Sequence, residues 1–324
     1  GDKLEDEPPL SSAYSVEQRP PAAPKGAFHR GMVVGVFPYK DEIPSYRKVF
    51  DELYDVGVSV VSLNFNWYMN TIYDLTVYKG VANDNNQTPS DEILAKSIED
   101  AHKAGLEVML FPAIYVLNLS KGEWRGRIKP ASWDTWFDSY GQLCVDIAKL
   151  ASKYKAEYFC IGIELISTEK FTKHWRKIIK DIKKVYNGKL CYSSNWDARK
   201  INPWFHQLDM LAMNAYYELS ESKDATVDEL VASWRKIRNE ITPWKNAFNK
   251  PVIITEIGYR SADGSITQPW NYFLPGEVDL EEQRRAYEAF FKAWYNDDVF
   301  NGVYFYHIET DRGDRAFGKI VVLE

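Results

Sequence analysis

The chain has 324 residues and a mass of 37.5 kDa, which fits one large domain with a sizeable core. Its net charge of −6, with basic residues dispersed among acidic ones, argues against nucleic acid or another polyanion as a partner. Aromatic residues make up 15% of the chain, and many of them follow predicted strands. Such residues suit ordinary packing, and they also suit a cleft that stacks on flat apolar faces such as those of sugar rings.

Residues 1–26 are polar and proline-rich and carry neither an initiating methionine nor a signal peptide. We expect them to form a disordered or extended tether, followed by one catalytic domain over 27–324. A removed secretion or lipoprotein leader would explain this start. We therefore expect an extracytoplasmic monomer that is secreted, periplasmic or held at the surface by a lipid anchor.

No run of about 18 apolar residues is present, so no transmembrane helix is predicted. The three cysteines are odd in number and form no CxxC pair. Buried free thiols are therefore expected.

Taken in order, apolar strands alternate with helices. The first half of the chain predicts strands over 31–37, 58–63 and 106–111 and helices over 44–56, 88–102 and 132–154. Strand two is expected to deliver Asn64, Trp67 and their neighbours into a long loop that helps to build a site. The second half predicts strands ending at Glu164 and Glu256, strands over 190–194, 208–213 and 302–306, and helices over 167–188, 227–248 and 280–295.

Eight strands with crossovers between them predict a closed (β/α)₈ TIM barrel as a single domain. Only residues 307–324 follow the last strand, so the eighth helix should be short or absent. An open nucleotide-binding sheet would want a glycine-rich turn after strand one, where Pro38-Tyr-Lys stands instead.

Two apolar strands end in a carboxylate, one at Glu164 and the other at Glu256. An acid at the end of a buried strand is costly unless it is solvated, paired or used. In barrels of this type the site lies at the carboxyl ends of the strands, so the two glutamates should meet there. Opposed carboxylates in an aromatic cleft fit glycoside hydrolysis, in which their environments separate their pKa values.

Other residues just past the strands are candidate substrate contacts. Tyr216 could donate a hydrogen bond to the nucleophile, Asn195 could hold a sugar hydroxyl, and the two tryptophans after strands two and five could stack on sugars. The full set is Asn64, Trp67, Asn195, Trp196, Tyr216, Tyr259, Arg260, Trp270 and His307. Glu169 is interpreted as a first-turn helix acid. The five histidines lack HExxH spacing, so neither a metal nor a cofactor is expected.

Several strings resemble a known family, glycoside hydrolase family 113, over residues 28–307. They are Gly162-Ile-Glu164-Leu with Ser167-Thr-Glu169, Tyr192-Ser-Ser-Asn195-Trp196, the stretch from Asp209 to Tyr216-Tyr217, and Thr255-Glu256-Ile-Gly-Tyr259-Arg260-Ser261. The resemblance implies a (β/α)₈ β-1,4-mannanase that acts with retention. By position, Glu164 matches its acid/base and Glu256 its nucleophile.

The sequence departs from that pattern at two points. Ile163 stands where many barrels of this clan carry an asparagine, and strand eight ends without the tryptophan that commonly lies under the sugar at the bond to be cut. Three alternatives therefore stay open: a hydrolase of another β-glycan, a carbohydrate-binding protein on a degenerate hydrolase barrel, and an assembly protein that uses the first 26 residues as its tether.

Overall fold

The eight strands form a closed parallel barrel in chain order, in which β1 pairs with both β2 and β8. The structure is a computed structural model and describes residues 28–37, 43–80, 88–294 and 298–306. Its strands are β1 His29–Gly35, β2 Val60–Met69, β3 Glu107–Val116, β4 Tyr158–Ile163, β5 Lys189–Ser194, β6 Leu211–Asn214, β7 Val252–Ile257 and β8 Gly302–Tyr306. The predicted TIM barrel is confirmed, whereas the prediction for the eighth helix lies outside the described residues.

Six α-helices cover the barrel in the described part of the chain. They are α1 Arg47–Asp55, α2 Asp91–Ala104, α3 Trp133–Tyr154, α4 Thr172–Lys183, α5 Val227–Phe248 and α6 Leu280–Trp294. The sequence determines where α2 begins and ends. Ser90 accepts the Ile93 N–H at the start, and Gly105 ends the helix at φ 92°. No helix among these residues is long and apolar enough to cross a bilayer.

The apolar core has two layers, because alternate residues of each strand face opposite sides of the barrel wall. The barrel interior includes Val60, Phe111 and Ile253. The layer between barrel and helices holds the helical tryptophans Trp136, Trp175 and Trp234 among many others. The three cysteines are free and buried, which confirms that expectation.

A break in this alternation near the end of β7 aims its acid toward the barrel axis. Ile254 and Ile257 both lie in the helix-facing layer although they are three residues apart. The ladder between β7 and β8 shifts register between these two residues, as a bulge requires. Thr255 hydrogen-bonds Ser193 within the barrel, and the extra residue brings Glu256 to the inner side as well.

The structure corrects the prediction for strand two, because β2 runs on to Met69 and Trp67 lies within it. Trp67 packs edge-on against Phe65 and Tyr140, with ring centroids 6.2 and 5.6 Å away, and is fully buried in the helix-facing layer. The predicted stacking of Trp67 on substrate is therefore wrong, since this ring has no exposed face.

We expect Trp67→Ala to lower the free energy of unfolding by about 3–5 kcal/mol, because it opens a cavity in this layer. Urea denaturation measures the loss. Trp270→Ala is the matched control: its ring is 44% exposed, and we expect a loss below about 1 kcal/mol. Equal losses in the two variants would contradict the buried position of Trp67.

Candidate active site

Two glutamates stand at the carboxyl ends of β4 and β7, and both are more than nine-tenths buried. Glu164 directly follows β4 and has a positive φ of 54°, an uncommon conformation for a residue other than glycine. Glu256 is the penultimate residue of β7. The two side chains are close enough that the charge of Glu164 raises the pKa of Glu256. The structure thus brings the predicted pair together.

Both carboxylate oxygens of Glu164 accept hydrogen bonds from other loops and strands. Arg125, in a short 3-10 turn after β3, donates from Nε at 2.9 Å and lies 2.7 Å away through Nη2, both to Oε2. Asn214, the last residue of β6, donates its Nδ2 to Oε1. Charge-assisted bonds of this kind are strong and directional, so they fix the orientation of the carboxylate.

The backbone turn behind Glu164 is held by a buried chain of hydrogen bonds. The next residue, Leu165, donates its N–H to the Tyr192 hydroxyl at 2.9 Å, and Tyr192 donates to the Glu169 carboxylate at 3.0 Å. Glu169 also accepts a bond from Asn202 at 3.1 Å. Glu169 therefore precedes α4 as a buried positioning group, which corrects its interpretation as an acid in the first turn of the helix. Such support maintains a strained conformation at a site.

Glu256 has fewer donors, and its ionised form is less well supported. The Tyr216 hydroxyl donates to its Oε2 at 3.1 Å, as the sequence predicts. Burial, followed by the charge of Glu164, raises the pKa of Glu256 to about 7, while the Arg125 charge and the Tyr216 hydrogen bond act in the opposite direction. The two acids therefore have unequal environments.

Two further tyrosines lie beside Glu256. The Tyr272 ring packs edge-on against Tyr216 with centroids 6.0 Å apart, yet it remains 43% exposed. The pKa values of Tyr272 and of Tyr306, at the end of β8, are raised by burial and then by the charge of Glu256. An exposed aromatic face thus borders the glutamates, although it does not come from a strand-eight tryptophan.

The predicted polar contacts after β5 reach Glu164 through Asn214. The Asn214 Nδ2 is 3.3 Å from the side-chain oxygen of Asn195, and its Oδ1 accepts the Trp196 N–H at 2.8 Å. Asn64 lies in β2, not in a loop, and its side-chain oxygen accepts the Ser62 hydroxyl at 2.9 Å. Asn195 and Trp196 therefore belong to the immediate surroundings of the pair.

Several other predicted contacts lie elsewhere. Tyr259 is buried and packs edge-on against Tyr287 at 5.3 Å, which corrects its prediction as a substrate contact. Arg260 donates to the Leu274 carbonyl at 2.7 Å and so holds the loop between β7 and α6 together, while its contact with substrate stays a prediction. Trp270 lies at the rim, and His307 lies outside the described residues.

Sequence reasoning missed three residues of this site: Arg125, Asn214 and Tyr272. Each follows or ends a strand at the active face, and that position was the available signal. Arg125 and Asn214 meet Glu164 across 39 and 50 residues of chain, so no local pattern marks them.

One acidic group in the described part of the chain has oxygens within 4.8 Å of one another, formed by Asp263, Asp279 and Glu282. Its members already have protein partners. Asp263 pairs with Lys223 at 2.7 Å, and Glu282 accepts hydrogen bonds from the backbone of the loop before it. These acids tie the loop to α6.

The model of Glycoside Hydrolase Family 113 matches residues 40–316. A solved structure of a GH113 β-1,4-mannanase in complex has 23% identity, covers 86% of this chain and 88% of its own, and has a TM-score of 0.75. The GH113 β-mannanase AaManA from Alicyclobacillus acidocaldarius, in complex with ManMIm, has 29% identity, 86% coverage of both chains and a TM-score of 0.72.

A more distant structure is Cel5A of Thermotoga maritima in complex with mannotriose, with 14% identity, a TM-score of 0.56 and coverage of 87% of this chain and 91% of its own. No curated protein matches the chain. The family match covers most of the sequence, including both glutamates, the turn of Arg125 and the end of β6. The chain is a glycoside hydrolase and belongs to Glycoside Hydrolase Family 113.

Proposed function

We propose that the protein is an endo-acting hydrolase of β-1,4-mannan that works by double displacement with retention. One observation carries this proposal: two buried glutamates end β4 and β7 and differ in their partners. Glycoside hydrolysis requires such a pair, one member protonated and the other ionised. The related structures are those of β-mannanases, which supports mannan as the substrate.

In the first step Glu256 attacks the anomeric carbon while Glu164 gives its proton to the leaving oxygen. The resulting glycosyl ester removes the negative charge of Glu256 and leaves Glu164 ionised. Arg125 and Asn214 then face a carboxylate that must take a proton from water. In the second step Glu164 activates this water, which attacks the ester and releases a sugar of retained configuration.

The environment of Glu256 sets the working pH. Glu256 has its pKa raised to about 7 by burial and by the charge of Glu164, so the pair keeps one proton up to about that pH. Tyr216 stabilises the ionised form through its hydroxyl. The reaction needs this proton on Glu164 and the charge on Glu256, so activity should fall as pH rises through about 7.

The alternative of a carbohydrate-binding protein is favoured by one observation. Ile163, next to Glu164, is buried in the barrel interior, so it offers no polar group to a sugar hydroxyl. A hydrolase of another β-glycan is the alternative within the enzyme class. A panel of β-mannan, glucomannan, xylan, β-glucan and peptidoglycan separates these proposals.

We also propose an extracytoplasmic, monomeric enzyme, on the composition of residues 1–26 and the polymeric nature of the substrate. Immunoblots of fractions from cells that express the native gene test the location of the protein. Light scattering of the purified protein tests whether it is a monomer.

We expect Glu164→Gln and Glu256→Gln each to reduce kcat on β-mannan by about 10³-fold or more. Reducing-sugar release measures the loss, and Glu99→Gln on the exposed face of α2 is the matched control. In alanine variants, azide should yield a β-glycosyl azide at position 164 and an α-glycosyl azide at position 256. Binding without hydrolysis by parent and variants alike would instead support the binding protein.

We expect kcat/KM to fall with pH to half its maximum near 7, because the pair then loses the one proton that Glu164 must donate. Arg125→Met and Tyr216→Phe each remove a group that lowers the pKa of Glu256, so this limb should move to higher pH by roughly one unit. Arg127→Met changes an exposed arginine on the same turn and is the control. An equal shift in both arginine variants would contradict a specific role for Arg125.

Glu256 should also make stability depend on pH. Its pKa is raised from 4.5 to about 7 on folding, so the folded state binds more protons between these values and stability falls as pH rises through them. The loss amounts to about 3 kcal/mol at most. Urea denaturation measures the free energy of unfolding of Glu256→Gln minus that of the parent. This difference should favour the variant more at pH 8 than at pH 4. The same difference at both pH values would refute this assignment.

A further inference from the structure

A groove of about 530 Å³ lies outside the glutamate pair, between the loops after β5 and β6 and the middle of α5. Its walls include Trp196, Ile201, Tyr217 and Trp244 together with Arg199 and Glu240. This volume falls in the range of sites that hold small molecules, and the mixture of aromatic and polar walls is typical of them.

The groove is fixed in shape by its one buried cation. The Arg199 guanidinium donates to the Trp196 carbonyl and to the Tyr217 hydroxyl, lies over the Tyr217 ring at 5.5 Å, and pairs with Glu240 at 3.7 Å. These contacts hold the aromatic walls before any ligand arrives. Such preorganisation lowers the entropic cost of binding.

The chemistry of the groove selects a neutral polyhydroxylated ligand. The Ile201 side chain is 66% exposed and offers apolar surface to a sugar ring. The carboxylates of Asp197, Glu218 and Glu240 line the same space opposite the single charge of Arg199. Carboxylates accept hydrogen bonds from hydroxyl groups, whereas their excess negative charge disfavours uronates and other anions.

The groove lies beside the catalytic centre, because Trp196 lines the groove and also contacts Asn214. Trp196 donates its N–H at 2.8 Å to Asn214, the residue whose amide binds Glu164. Glu218, another residue of the groove wall, accepts the indole N–H of Trp270 at 2.9 Å. A glycan chain that lies across the glutamates and extends past Trp196 would therefore meet the groove.

The loop between β7 and α6 carries Trp270 and forms the rim of the site there. Two contacts hold the base of this loop. An antiparallel bridge joins Ala262 and Val278 across it, and Arg260 holds it through the Leu274 carbonyl at 2.7 Å. Its exposed rings span the two regions: Tyr272 borders Glu256, and Trp270 reaches the groove.

We propose that this groove binds neutral sugar units of the same glycan chain, beyond the bond that is cut, so that the enzyme favours long chains over short ones. The inference rests on the proposed function and names where the distal part of its substrate binds. It assigns to Ile201 and Trp270 a role in chain-length preference that neither glutamate can supply.

The test compares kcat/KM on linear β-1,4-manno-oligosaccharides of two to six units. In the parent, kcat/KM should rise with length, and Ile201→Asp should lower the ratio for the hexamer over the shortest cleaved oligomer by about tenfold. Ile201→Leu keeps the apolar surface and should preserve the ratio. Val49→Ser, on the exposed face of α1, is the control for a surface change elsewhere.

A ratio that stays the same in Ile201→Asp would overturn the groove while leaving the proposed function intact. If the parent cleaves neither these oligomers nor polymeric β-mannan, the proposed function fails, and calorimetry with the same oligomers decides the groove alone. The groove is supported if the affinity of the parent for the oligomers rises with their length and the affinity for the hexamer falls about tenfold in Ile201→Asp. Equal affinity of the parent and Ile201→Asp for the hexamer, or no binding by the parent, overturns the groove.

Discussion

The hydrogen bonds of the Asn214 side chain join the parts of the barrel on which the active site depends. Its amide donates to Glu164 after β4, its oxygen accepts the Trp196 N–H after β5, and its backbone is in register with Glu256 on β7. One buried residue at the end of β6 thus links four strand ends, three of them through its side chain and β7 through its backbone. A buried amide with both its donor and acceptor satisfied favours a single arrangement, because any rearrangement would leave polar groups unpaired.

Charge balance explains how the two glutamates can act as one acid and one base. Two buried carboxylates face one guanidinium, so the site is neutral only when one of the acids carries a proton. Double displacement needs this same state, with one acid and one base. The two groups titrate as a pair, and burial places the proton of the free enzyme on Glu256 at low pH. Arg125 thereby limits the negative charge of the site without binding the nucleophile directly.

The sequence was informative where local pattern determines structure. Helix α5, Val227–Phe248, has the predicted bounds, and its capping box explains its start. Glu164 was found because it ends an apolar strand. Trp67 was misplaced although polar and apolar residues alternate around it in β2, a period that already puts it on the apolar face. Arg125 and Asn214 could not be found in this way, since their contacts depend on how distant strands converge.

The two departures from the family pattern acquire a physical explanation in the barrel. Ile163 points into the apolar interior, and the amide beside Glu164 comes from Asn214 on β6. The aromatic surface near Glu256 comes from Tyr272 on the following loop, together with Tyr306 at the end of β8. Because all strand ends meet at one face, a group lost from one strand can be supplied by another. The substitutions therefore relocate polar and aromatic groups, and they do not leave the glutamate pair without them.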